Sequence, residues 1–126
     1  MTKQKFKPLA ELETEIMTIL WNLKNASVRT VVNRLRKKRE VAYTTIMTTM
    51  SRLHAKGVLK RQQNASGAYI YTPTENKQAF LAHVSGNMIT GLLNNFGNVA
   101  VAQFIDILEN SRYNTREWRK KLKKIK

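Results

Sequence analysis

Three threonines and an arginine stand out in this sequence for the chemistry they could do. Thr44, Thr45, Thr48 and Arg52 recur at one-, three- and four-residue steps, with Met47, Thr49 and Ser51 between them. That spacing gathers them toward one side of a helix. Threonine is a mediocre helix former, and an ordinary exposed helix face prefers Glu, Lys and Gln. No acidic residue occurs from Val41 to Thr74. Short hydroxyl side chains plus a guanidinium, free of acids, suit a surface that approaches phosphates and base edges closely. The alternative is a helix packed on another protein.

Other chemistry is poorly provided for. There is no cysteine, which excludes disulfides, thiolate metal sites and cysteine nucleophiles. His54 and His83 fall in different elements, and neither has an acid at metal-ligand spacing. No glycine-rich phosphate loop, HExxH or GxSxG occurs. The reading is therefore not an enzyme, with no cofactor and no metal. No run of about 18 apolar residues exists to span a membrane, and the basic start, Met1 to Lys7, lacks the apolar stretch of a secretory signal. The expected location is cytoplasmic.

Charge supports a polyanionic partner. Among 126 residues there are 23 Lys and Arg against 8 Asp and Glu, a net charge of +15. Residues 1–73 carry fourteen basic and four acidic side chains; residues 74–126 carry nine and four. Basic side chains displace the counterions condensed on phosphates, so such a surplus favours nucleic acid.

The elements that position these groups read as follows. Leu9 to Leu23 is a helix, with Leu9, Leu12, Ile16, Ile19, Leu20 and Leu23 at helical steps and Trp21 at the stripe's edge. A second helix spans Val28 to Lys38, with Val28, Val31, Val32 and Leu35 inward and Arg29 on its other side. The third, Tyr43 to Lys56, buries Ile46, Met50 and Leu53 and ends at Gly57 as a left-handed cap. Val58–Gln63 and Ala68–Thr72 form a β-hairpin around a polar tip containing Asn64 and Ser66, with Lys60 and Arg61 on the incoming strand. Three helices and a hairpin in that order predict a mainly α winged helix-turn-helix, bounded near Pro73-Thr74. Candidate DNA contacts are Thr44, Thr45, Met47, Thr48, Arg52, Arg29, Lys60, Arg61, Asn64 and Ser66.

Residues 74–126 read as a helical dimerisation region. Thr74 is the expected cap of a long helix from Glu75 to Phe96, with Gly86 and Gly91 as points where it could kink. Phe80, Leu81, Val84, Met88, Leu92, Leu93 and Phe96 form its apolar stripe. A fifth helix, Val99 to Leu108, adds Phe104 and Leu108. About 50 residues with such stripes are too few to enclose a core alone, and a symmetric homodimer is the simplest solution. Thr115 caps a short last helix carrying Trp118, Leu122 and Ile125 in a basic tail, Arg112 to Lys126, with eight basic residues.

Leu9-Ala10-Glu11-Leu12-Glu13-Thr14-Glu15-Ile16-Met17 with Trp21 resembles the penicillinase and methicillin-resistance repressor family (BlaI/MecI/CopY type). So do Val41 to Leu53 with Lys56-Gly57, and Tyr69-Ile70-Tyr71-Thr72-Pro73. The resemblance implies a repressor that binds double-stranded DNA as a homodimer at a palindromic operator. It implies a third helix in the major groove, pointing to Thr44, Thr45, Thr48 and Arg52. Some members are inactivated by a protease that cuts before an aromatic residue in an Asn-Phe-Leu-Glu-like stretch. The similar stretch here is Gln103-Phe104-Ile105-Asp106, with Gln in place of Asn. Copper-responsive members carry a C-terminal cysteine cluster, which this chain lacks. The runner-up function is a basic winged helix that binds DNA or RNA without sequence preference.

Overall fold

The computed structural model describes residues 9–110 and 116–120. The elements run α1 (Glu11–Leu23), β1 (Ala26–Ser27), α2 (Val28–Leu35), α3 (Tyr43–Ala55), β2 (Leu59–Gln63), β3 (Tyr69–Pro73), α4 (Lys77–Phe96) and α5 (Asn98–Asn110). Residues 116–120 are also helical. Of the expected basic tail, Arg112, Thr115, Lys121, Leu122, Lys123, Lys124, Ile125 and Lys126 lie outside the described residues. The chain forms two compact units that divide between Asn87 and Met88.

The first unit is built on three helical stripes. Ile16, Met17 and Leu20 of α1, Val31 and Val32 of α2, and Ile46, Met50 and Leu53 of α3 are fully buried. Each such side chain contributes about 1.5–3 kcal/mol by leaving water. The sheet order is β1-β3-β2, antiparallel throughout. Leu59 pairs with Pro73 and Arg61 with Tyr71, while Ala26 faces Tyr71 from the other side. Leu59 and Tyr71 close the core from below the helices, each 2% exposed.

Local chemistry sets the boundaries, and some differ from the sequence expectation. Helix α1 begins at Glu11 rather than Leu9 because the Glu13 carboxylate accepts the amide of Ala10 at 3.0 Å. Helix α2 stops at Leu35, three residues short of the expected Lys38. Lys37 and Lys38 donate to the carbonyls of Arg34 and Leu35 in tightened turns, and residues 36–40 are all exposed. The Ser27 hydroxyl caps α2 by accepting from the Thr30 amide at 3.2 Å. Gly57 has φ 86°, the left-handed value expected after α3.

The expected cap of α4 is also displaced. The Thr74 hydroxyl donates to the Gly57 carbonyl at 2.7 Å, and the Thr74 amide donates to the Val58 carbonyl at 3.0 Å. Asn76 takes the capping role, its side-chain oxygen accepting from the Ala79 amide at 2.8 Å, so α4 begins at Lys77 rather than Glu75. The helix runs unbroken through Gly86 and Gly91. Phe80 and Val84, grouped by the sequence with the dimer stripe, are covered within the first unit's own core. Phe80 packs on Trp21, ring centroids 5.6 Å apart.

In the second unit, Gly97 (φ 59°) closes α4, its amide donating to the Leu93 carbonyl at 2.8 Å. Helix α5 then runs from Asn98 to Asn110, with none of its residues buried.

Candidate nucleic-acid interface

The outer face of α3 presents what the sequence assigned to it. With Ile46, Met50 and Leu53 turned inward, Thr44, Thr45, Met47, Thr48 and Arg52 are all exposed. The Thr49 hydroxyl is engaged locally, donating to the Thr45 carbonyl at 2.8 Å. The hydroxyls of Thr44, Thr45 and Thr48 make no side-chain hydrogen bond among the described residues, so their donors and acceptors face water. A methyl and a hydroxyl on each, a thioether 42% exposed at Met47, and a guanidinium at Arg52 form a mixed apolar and polar strip. Such a strip can meet thymine methyls and base acceptors in a groove.

Two carboxylates of this unit are paired with cations. Glu13 and Glu15 of α1 pair with Lys56 at 3.4 Å and Arg39 at 2.6 Å. Arg29, Arg52, Lys60 and Arg61 have no carboxylate partner among the described residues. Arg29, in the first turn of α2, lies with its guanidinium 4.9 Å from the centroid of the Tyr43 ring, at the first residue of α3. The contact joins the N-terminal ends of the two helices. Arg36 shapes the connection between them, its Nε donating to the Val41 carbonyl at 3.2 Å.

The hairpin residues divide by role. The Asn64 side-chain oxygen accepts from the Ser66 amide at 3.0 Å, the Ser66 hydroxyl at 2.7 Å and the Ala68 amide at 3.1 Å. Gly67 supplies the turn's positive φ of 89°. The tip polar groups singled out by sequence are thus engaged in holding the tip. Strand alternation puts Lys60 and Arg61 on opposite faces. Lys60 is exposed; Arg61 is half-buried, its guanidinium 4.1 Å from the Tyr69 ring centroid and its Nη1 donating to the Tyr71 hydroxyl at 3.3 Å. That bond, with the phenols' electrostatic effect, raises the Arg61 pKa above its ordinary value.

Sequence reasoning missed Tyr43 and Tyr69 as partners of arginines. For Tyr69 a signal existed: with Arg61 opposite Tyr71, Tyr69 is the diagonal cross-strand neighbour, within reach of a long side chain.

In the second unit, α4 and α5 enclose a small groove of about 210 Å³ lined by Ile89, Leu92, Leu93, Ala100, Val101 and Phe104. Of the sequence's dimer stripe, Leu81, Met88, Leu92, Leu93, Phe96 and Phe104 are exposed and Leu108 is half-buried. The Gln103–Phe104 bond lies inside α5, with both residues exposed. No helix among the described residues is long and apolar enough to cross a membrane. No group of three or more metal-ligating side chains occurs among them.

A three-helix core, an antiparallel hairpin and a third helix with an uncovered polar face define a winged helix-turn-helix. The solved structure of reduced AbfR bound to DNA matches this architecture with a TM-score of 0.50 at 18% identity, over 87% of this chain and 82% of that one. The family profile described as penicillinase repressor matches residues 9–124, and the chain belongs to that family. It is 27% identical over 112 residues to the penicillinase repressor of Staphylococcus aureus, covering 78% of this chain and 88% of that protein. It is 25% identical over 103 residues to the penicillinase repressor of Bacillus licheniformis, covering 82% and 80%. The family comprises transcriptional repressors rather than enzymes, and this chain is a DNA-binding transcriptional regulator of that kind.

Proposed function

We propose that this protein is a cytoplasmic, sequence-specific repressor that binds a palindromic operator as a homodimer. Residues 1–73 hold the double-stranded DNA, and residues 74–126 hold the second copy. The carrying observation is the exposed face of α3, where Thr44, Thr45, Thr48, Met47 and Arg52 stand uncovered in a stretch without acids. Hydroxyls and methyls discriminate bases, whereas phosphates need only positive charge. Arg29, Lys60 and Arg61, without carboxylate partners among the described residues, are the candidates for the backbone. A protein that only coats nucleic acid would rely on Lys and Arg throughout.

Support for the dimer comes from the second unit. Phe96 is 60% and Phe104 58% exposed, beside the apolar groove between α4 and α5. An apolar face of that kind marks an interaction site, and a two-fold axis lets one face cover its own copy. Release from DNA follows if the dimer is lost, since two linked half-sites gain affinity from each other. Cutting Gln103–Phe104 would sever this face, and it requires α5 to open first, because a helical bond is not in the extended form a protease binds.

The test is selection of duplexes from a random library by the full chain, followed by competition against mixed-sequence DNA at physiological salt. A two-fold symmetric consensus, bound at least a thousand-fold more tightly than mixed DNA, is the expected result. Equal affinity for selected and mixed duplexes would establish the non-specific reading instead. Mass spectrometry of the repressor from derepressed cells tests the protease: an intact chain removes it.

A further inference from the structure

The wing raises a question that the engaged tip leaves open: which of its groups meets DNA. Its buried face begins at Leu59 and Tyr71 and continues outward by strand alternation to Arg61 and Tyr69. Cover runs out along that path. Tyr71 is 2% exposed and Tyr69 39%. Where it runs out, a guanidinium lies over one phenol ring and is hydrogen-bonded to another, with no carboxylate to neutralise it among the described residues. Arg39 and Lys56 differ on this point, each facing a glutamate. A free arginine has many rotamers to give up on binding. An arginine already held over a ring has less to lose, and the N–H groups that the Tyr71 hydroxyl does not take can still donate to the oxygens of a phosphate.

We propose that Tyr69 is a positioning residue for Arg61, and that this stacked pair is the wing's contact with a DNA phosphate. The inference rests on the winged face being the DNA-binding face. Arg61 supplies sequence-independent affinity; Tyr69 acts only through Arg61; and Asn64 and Ser66 hold the tip. The Tyr69 hydroxyl has no part, since the stack uses the ring face.

The experiment uses the full chain, a labelled mixed-sequence duplex and a duplex selected by the wild-type protein, with anisotropy titrations over a salt series. Arg61→Gln should flatten the slope of log K against log salt by about 0.9 for each bound protomer, with the same fold-loss on both duplexes. Arg61→Lys should keep the slope. Tyr69→Ala should weaken binding about 2- to 10-fold, the cost of ordering one freed side chain. It should add nothing in an Arg61→Gln background, and Tyr69→Phe should be silent. Circular dichroism and thermal melts confirm that each variant is folded. An unchanged slope in folded Arg61→Gln overturns the proposal. So does a Tyr69→Ala loss that persists without Arg61, or a Tyr69→Phe loss equal to that of Ala. Thr48→Ala separates the two readings. If it is silent on the selected duplex while Arg61→Gln flattens the slope, the reading of α3 fails and the wing contact stands. The converse overturns the wing contact alone.

Discussion

The indole nitrogen of Trp21 donates to the backbone carbonyl of Glu75 at 2.9 Å, across 54 residues of chain. Its ring also packs on Phe80, three residues into α4. One side chain of α1 therefore fixes both the entry to α4 and its first inward residue.

Trp21 should accordingly matter twice. Trp21→Phe keeps the packing and leaves the Glu75 carbonyl without its donor, costing about 1 kcal/mol. Trp21→Ala removes the packing too, costing on the order of 3–5 kcal/mol. Urea unfolding of the two variants measures both steps. Equal losses would show that the hydrogen bond, not the ring, anchors α4.

Base readout by α3 predicts an asymmetric loss. Thr45→Ala or Thr48→Ala should cost about 1–3 kcal/mol on the selected operator. Binding to mixed-sequence DNA should barely move, since neither hydroxyl is needed for phosphates. Competition titrations on both duplexes decide it, and equal losses remove direct readout.

The apolar groove between α4 and α5 predicts the state of assembly. Sedimentation equilibrium at micromolar concentration should give a dimer for the full chain. Leu92→Glu places a charge in that groove and should give a folded monomer with far weaker operator binding. A wild-type monomer would end the dimer proposal.

The tip of the hairpin predicts a separation of stability from specificity. Asn64→Ala removes an oxygen that accepts three hydrogen bonds. These are exposed, so the loss should be modest, about 1–2 kcal/mol in thermal or urea unfolding. The ratio of operator to mixed-sequence affinity should stay constant. A changed ratio would mean that Asn64 reads DNA itself.

What the sequence disclosed depended on how local each cause was. Ile46, Met50 and Leu53 announce α3 because one helix face is read from one short window, and the threonine face follows from the same window. Strand β1 has two residues, too short for any period, and exists because Tyr71 offers a ladder to Ala26. Thr74 and Asn76 are both good caps by type, and the choice between them was made by the Gly57 carbonyl, 17 residues away. Phe80 and Val84 share a helical stripe with Met88 and Leu92, yet the first pair is buried in the first unit and the second pair is exposed. Periodicity marks a stripe as apolar without saying what covers each part of it. The ring beside Arg29 was hidden for the same reason, since that contact joins two helices, whereas the ring beside Arg61 could have been read from the hairpin register.

The bonds from Thr74 to Gly57 and Val58 fasten the two ends of the hairpin together at its root. This makes the wing a cassette. Residues between the ends form a closed loop whose length can change at a cost of about 0.6 kcal/mol per doubling, while the end of α3 and the approach to α4 stay pinned. Relatives with longer or shorter wings could thus diverge in how far they reach along DNA without re-engineering the helix that reads it. A wing transplanted at this clasp should arrive in register on its new host.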